Sequence, residues 1–169
     1  EEVNRVLTDR VSRILFCPTE QAVKNLEAEG FGHMNAQIVN VGDVMQDAAL
    51  LFSKQARRPD GLREAEENNF ILATIHRAEN TDSFERLSGI VKGLNILGEE
   101  QPVILPLHPR TRSAIDKQGL KLNVKAILPV GYLEMLWLLK RCQCVVTDSG
   151  GLQKEAYFHK VPCLILRDE

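Results

Sequence analysis

From about residue 70 the chain alternates between two hydrophobic patterns. Short apolar runs rich in β-branched residues recur at Phe70 to Ile75, Val103 to Leu107, Val124 to Val130, Cys144 to Thr147 and Val161 to Leu166. Between them the period changes. Phe84, Leu87, Ile90, Val91, Leu94 and Leu97 step by three and four residues, which puts them on one helix face. Leu133, Leu136, Trp137 and Lys140 repeat the step more briefly. The pattern reads β-α-β-α-β-α-β-α-β and predicts an α/β fold. Near-continuous apolar strands joined by helices point to a parallel sheet covered on both faces, with right-handed crossovers.

The first forty residues read differently. Val3, Val6, Leu7 and Val11 mark an amphipathic helix, and Ile14 to Cys17 a strand. Pro18-Thr19-Glu20 opens a second helix that runs through Leu26 and stops at Gly30. Ile38 to Val41 predicts a further strand, and Gly42-Asp43 a turn. The charged stretch from Arg57 to Asn69, with Pro59 and Gly61, predicts surface helix or loop. A lone α-β-α-β piece ahead of a five-strand unit is expected to be the end of one domain (1–42) followed by a second (43–169). Glu1 in place of Met, together with this partial first unit, suggests a piece of a longer protein.

Composition narrows the function classes. The 169 residues are 44% hydrophobic and 26% charged, enough apolar material for a core. A net charge of -2 gives no electrostatic case for nucleic acid or an anionic membrane. No apolar run approaches the roughly 18 residues of a membrane span, and no signal peptide opens the chain. Four cysteines do not suggest a disulfide framework, and Cys142 and Cys144 have no second Cys/His pair nearby. Packed thiols rather than a metal site are expected, in a cytoplasmic protein. His33 and His159 read as surface residues, and Trp137 and Tyr157 as core. No metal-binding H-E-x-x-H, Walker A or G-x-G-x-x-G motif is present.

Polar clusters follow every strand of the repeating unit. His76-Arg77-Ala78-Glu79-Asn80 comes first, then His108-Pro109-Arg110-Thr111, Gly131-Tyr132, Asp148-Ser149-Gly150-Gly151 and Arg167-Asp168. Five clusters past strand carboxyl ends share one sheet edge, where open α/β sheets bind ligands. At Ser149-Gly150-Gly151, glycines let the backbone approach an anion and the following helix turns free N–H groups toward it. The same residues would serve as an ordinary cap, with Asp148 or Ser149 closing the helix start. Glu155 either accepts the two hydroxyls of a ribose or is a solvated helix charge. His76 either meets phosphate and exchanges protons or is a satisfied loop histidine, with Glu79 placed to orient it or Arg77.

Five ordered blocks carry a resemblance. They are Glu1-Glu2-Val3-Asn4-Arg5, Phe16-Cys17-Pro18-Thr19-Glu20, Val41-Gly42-Asp43-Val44, Thr74 through Thr81, and Thr147 through Ala156. Together the sequence resembles the non-hydrolysing UDP-N-acetylglucosamine 2-epimerases. The resemblance implies a Rossmann-like sheet within a two-domain GT-B-type architecture, and interconversion of UDP-GlcNAc and UDP-ManNAc for surface polysaccharide precursors. It implies elimination of UDP after loss of the C2 proton, then re-addition, without cofactor or metal, in a homodimer that binds neither nucleic acid nor membrane.

Carried over by position, the resemblance makes Glu1 a functional carboxylate and His76 the catalytic histidine beside the diphosphate. Arg5 lies one helical turn beyond Glu1 and is expected among the UDP-binding residues. Ser149, Gly150 and Gly151 match the phosphate loop and Glu155 the ribose-binding acid. The Val130 backbone and the Met135 side chain fall where uracil is held, Met135 standing where relatives often have an aromatic ring. The family's first domain supplies two further acids that have no counterpart here, so the chain alone is expected to bind nucleotide without turnover. A GT-B glycosyltransferase, a hydrolysing epimerase, an epimerase of UDP-diacetamido-glucuronic acid and a non-catalytic UDP-sugar-binding domain remain alternatives.

Overall fold

The computed structural model describes residues 2–62 and 69–168. The chain divides into two compact units, Glu1–Ala48 and Ala49–Glu169.

In the first unit, α1 (Glu2–Val11), β1 (Ile14–Cys17), α2 (Glu20–Ala28) and β2 (Gln37–Asn40) follow the predicted order. Thr19 caps α2, its hydroxyl accepting from the Ala22 amide at 3.1 Å. Gly30 ends the helix at φ 90°, a backbone angle that glycine reaches without a Cβ penalty. β1 and β2 pair in parallel with Leu15 opposite Ile38. Leu15, Cys17, Leu26 and Phe31 form the small core. The helix predicted from Val3, Val6, Leu7 and Val11 is present, but Val3, Leu7 and Val11 are exposed, because no described element covers that face.

The division falls inside α3 (Val44–Phe52), and the second unit runs on from it. Its strands are β3 (Ile71–Thr74), β4 (Val103–Pro106), β5 (Lys125–Ile127), β6 (Cys144–Thr147) and β7 (Cys163–Ile165). Between them run α4 (Ala78–Thr81), α5 (Phe84–Glu100), α6 (Pro109–Lys117), α7 (Tyr132–Leu139) and α8 (Gly150–Phe158). The strand order is β5-β4-β3-β6-β7 and every pairing is parallel. All strand carboxyl ends therefore share one edge. The chain builds outward from β3 to β5, returns through α7, and builds the other way from β6, so the order reverses between β3 and β6.

Alternation along the strands splits the core in two, as the pleat requires. Leu72, Ile104 and Val145 pack with Leu138, Leu139, Leu152 and Ala156 of α7 and α8. Ile71, Ala73, Val103, Leu105 and Val146 pack with Leu87, Val91, Leu94 and Ile115 of α5 and α6. β3, with neighbours on both sides, is buried at all four residues.

The edge strands are shorter than the apolar runs that predicted them. β5 stops at Ile127, before Leu128, which is 81% exposed, and Pro129, which has no N–H for a ladder. β7 likewise begins after Pro162. Tyr157, expected in the core, is 79% exposed, since Leu152 and Ala156 take the inward face of α8. Trp137 is buried as expected, with the Arg141 guanidinium 4.2 Å over its ring. His159, expected at the surface, is half-buried at the end of α8, and burial lowers its pKa from 6.5. The charged stretch is described only at 57–62 and 69: Pro59 and Leu62 are buried there, and residues 63–68 lie outside the described residues. Among the described residues no helix is long and apolar enough to cross a membrane, and the four cysteines are free.

Leu72 has no exposure at the centre of the sheet, so Leu72→Ala should destabilise the chain by about 2–5 kcal/mol, while Leu128→Ala should cost less than about 0.5 kcal/mol. Urea unfolding of both variants checks this. Equal losses would contradict the assignment of core and edge.

Candidate functional site

The reversal of strand order brings the ends of β3 and β6 side by side, with Thr74 opposite Thr147 in register. Their buried hydroxyls lie 2.6 Å apart, and Thr147 Oγ1 also accepts from the Ser149 amide at 2.9 Å. The strands thus deliver His76 and Ser149 to one place. A cleft of about 350 Å³ opens above them, lined by Thr74, Ile75, His76, Pro106, His108, Met135, Ser149, Gly151, Leu152 and Glu155. These residues come from the ends of β3, β4 and β6 and from α7 and α8.

The floor of the cleft is the N-terminus of α8. Ser149 is the N-cap of α8, its Oγ accepting from the Leu152 amide at 3.3 Å, so the hydroxyl proton stays free to donate. The cap expected of Ser149 is therefore present, and capping uses a lone pair and leaves the O–H. Asp148 does not cap α8. The Gly150 and Gly151 amides take no acceptor from the described residues and stand at the positive end of a nine-residue helix. A Cβ built on Gly150 would meet only the Arg167 guanidinium, at 3.9 Å. The fold itself does not demand glycine there, whereas close backbone approach by a phosphate would.

His76 is held by a residue that the sequence reading assigned only to helix capping. Asp148, with no exposure, lies with Oδ1 2.8 Å from His76 Nδ1. Its oxygens also accept from the amides of His76 and Arg77 at 3.0 Å and from Asn80 Nδ2 at 3.1 Å. Glu79, expected to orient His76 or Arg77, does not reach the imidazole cleft. It lines a separate cleft of about 440 Å³ with Arg77, Ser83, Arg86, Arg167 and Asp168. The signal that could have found Asp148 was its position. It stands at the end of a strand whose last three residues are buried, where a carboxylate has to be buried among donors.

Glu155 is half-buried on the cleft wall. Burial pushes its carboxyl above the 4.5 of a free glutamate side chain, while a hydrogen bond with Tyr132 opposes that shift. Met135 also faces the cleft, but Val130 lines another, of about 470 Å³, beside Pro59 to Gly61 and the end of β5. His108 shares the imidazole cleft and caps α6, its Nδ1 accepting from the Arg110 amide at 3.2 Å.

The remaining assigned residues belong to the first unit. Arg5 is engaged by three carboxylates, Glu2 at 2.6 Å, Asp9 at 2.8 Å and Glu29 at 2.9 Å. Its hydrogen bonds with Glu2 and Glu29 raise its pKa above the usual 12.5, and its bond with Glu2 lowers that carboxyl below 4.5. A phosphate at Arg5 would compete with these carboxylates. Glu1 lies outside the described residues.

With this geometry established, comparison with known proteins gives the family. The profile of the UDP-N-acetylglucosamine 2-epimerases matches residues 1–169. The chain belongs to the UDP-N-acetylglucosamine 2-epimerase family. Among relatives of that family, it is 60% identical over 170 residues to the UDP-2,3-diacetamido-2,3-dideoxy-D-glucuronate 2-epimerase of Pseudomonas aeruginosa, covering 100% of this chain and 48% of that protein. It is 41% identical over 181 residues to a UDP-N-acetylglucosamine 2-epimerase of Methanococcus maripaludis, covering 99% of this chain and 49% of that one. The crystal structure of the Methanocaldococcus jannaschii UDP-GlcNAc 2-epimerase with UDP-GlcNAc and UDP superposes with a TM-score of 0.85 at 43% identity. It covers 99% of this chain and 49% of that one. The chain spans about half the length of the curated relatives it matches. Its fold is the Rossmann-like α/β sheet of these epimerases, whose architecture is of the GT-B type.

The raised carboxyl of Glu155 yields a stability test. An acid whose folded pKa is raised contributes full stability below its unfolded value and loses it as pH rises through the folded value. Ionised Glu155 therefore costs stability at neutral pH. Glu155→Gln should raise Tm at pH 7, with the gap to the parent closing as pH falls below the free-glutamate value of 4.5. Calorimetric scans of both proteins check this, and an unchanged Tm at pH 7 would contradict a burial cost at this residue.

Proposed function

We propose that the full-length protein is a UDP-N-acetylglucosamine 2-epimerase that interconverts UDP-GlcNAc and UDP-ManNAc. The observation that carries the reading is the single cleft that gathers His76, Ser149, Gly151, the α8 N-terminus and Glu155, in a chain of this family. The diphosphate sits on the Gly150 and Gly151 amides and the Ser149 hydroxyl, and Glu155 takes the ribose hydroxyls. Met135 packs beside the base, while Val130 lines the neighbouring cleft. Burial that raises the Glu155 carboxyl within the cleft supports a ligand-facing role for it.

The chemistry requires breaking the C2–H bond and the C1–O bond, with a C1–C2 double bond forming. The proton goes to a base, a role the family resemblance gives to Glu1 and to carboxylates from the remainder of the protein. The electron pair leaves on the β-phosphate oxygen, where His76 Nε2–H and the loop amides stabilise charge as it grows. UDP then re-adds after the proton returns to the other face of C2. No cofactor or metal enters this scheme. The same reading makes the protein a cytoplasmic homodimer that supplies surface-polysaccharide precursors.

A second substrate reading has its own support. The 60% identical Pseudomonas aeruginosa relative acts, by its name, on a UDP-diacetamido-glucuronate. Both substrates share the UDP and the 2-acetamido carbon, so the cleft serves either. Proton NMR of the full-length protein with each UDP-sugar separates them. UDP-ManNAc from UDP-GlcNAc supports the first reading, epimerisation of only the uronate supports the second, and free ManNAc or no product overturns both.

The role of His76 has a kinetic signature. His76→Asn in the full-length protein should lower kcat more than it raises KM, because a donor at the leaving oxygen acts on the transition state more than on the ground state. Ser149→Ala should weaken both UDP and pyrophosphate, and Glu155→Ala UDP alone, each by about ten- to a hundredfold for a lost bond to a charged group. Steady-state kinetics and calorimetry measure these. Normal kcat in His76→Asn, or equal weakening of pyrophosphate in Glu155→Ala, would contradict the assigned roles.

A further inference from the structure

We propose that Asp148 is the positioning residue of the site, holding His76 with Nδ1 protonated and Nε2 as the ring's only exchanging nitrogen. The proposal rests on the reading that His76 acts at the diphosphate, and it explains how an exposed imidazole can do so. The His76 side chain is 53% exposed, so packing does not choose its rotamer or its tautomer. The contact at 2.8 Å between Nδ1 and Asp148 Oδ1 does both.

The direction of that hydrogen bond follows from the other groups on the carboxylate. Asp148 Oδ1 is also 3.1 Å from the His76 amide, and Oδ2 accepts from the His76 and Arg77 amides and from Asn80 Nδ2. Those partners are obligatory donors, so the carboxylate is an acceptor on every side and Nδ1 carries the proton. Asn80 cannot turn over to change this. Its amide also donates to the Leu166 carbonyl at 3.1 Å, and its oxygen accepts from Arg86 at 3.4 Å. The ends of β3, β6 and β7 and the start of α5 are joined through this one buried side chain, which is 3% exposed.

Two consequences follow for the reaction. With Nδ1 occupied, the proton that moves to or from a phosphate oxygen moves at Nε2. When Nε2 is protonated the ring carries a positive charge, and Asp148 lies against its far side to offset it. A carboxylate that served only to tie the β3–α4 turn would need the backbone amides and not the imidazole.

The test starts with the unsubstituted full-length protein labelled with 15N-histidine, at about pH 8.5, roughly two units above an ordinary imidazole. His76, assigned by the signal lost in His76→Gln, should show a protonated Nδ1 and an unprotonated Nε2. The opposite tautomer would overturn the proposal whether or not the protein epimerises any sugar. Asp148→Asn should abolish that signature and lower kcat by at least about tenfold, and up to the order of 10⁴-fold, with KM changed less than about threefold. An Asp148→Asn enzyme that folds and keeps its kcat would also overturn it. If that variant does not fold, the tautomer of the unsubstituted protein decides alone.

Discussion

A carboxylate with no access to water has to find a donor for each lone pair, and Asp148 finds all of them on one neighbouring stretch of chain. It stands where β6 ends, beside β3, and takes the amides of His76 and Arg77, the Asn80 side chain and the His76 ring. Leaving such a group unpaired would cost several kcal/mol, so the turn after β3 has little freedom to lie elsewhere. That turn carries the imidazole, and the residue after Asp148 begins the glycine loop. The imidazole and the glycine loop are therefore placed by a single buried group.

The sheet supplies the setting for that group. Parallel pairing sends every strand end to one edge, and the reversal between β3 and β6 leaves a crevice there that no crossover helix covers. Two separate apolar cores, one on each face, hold β3 and β6 rigid beneath the crevice. The Thr74–Thr147 hydroxyl pair then ties the strands at the last register position before they part. Stability sits in the strands, and the polar groups face the crevice. Glu155 shows the trade-off, since burial raises its carboxyl above the free value.

Much of this was legible in the sequence because hydrophobic period reports which elements are buried. The runs at Phe70, Val103 and Cys144 and the helix from Phe84 to Leu97 emerge close to their predicted bounds, and all five polar clusters lie at one edge. The edge strands were overestimated, because an apolar run does not say how many residues find a pairing partner, and Pro129 and Pro162 set those limits. Tyr157 and His159 were misplaced because one turn of helix leaves the inward face ambiguous until the neighbours are known. Asp148 was missed as the partner of His76 for a different reason. Its partners lie about seventy residues away, and only strand order brings them together. For the same reason Glu79, close in sequence, lies with Arg77 in the other cleft and does not orient His76. Arg5, taken from the resemblance alone, meets its own unit's carboxylates, which no spacing rule would have shown.

The central claim is that the β3–β6 junction is a diphosphate site with its ribose acid on α8. A co-crystal structure of the full-length protein with UDP tests it most directly. Phosphate oxygens should lie within hydrogen-bond distance of the Gly150 or Gly151 amide, the Ser149 hydroxyl and His76 Nε2, with the ribose hydroxyls on Glu155. UDP bound with its phosphates at the arginine-lined cleft of Arg77 and Arg167, or with Glu155 still on Tyr132 and free of ribose, would contradict it.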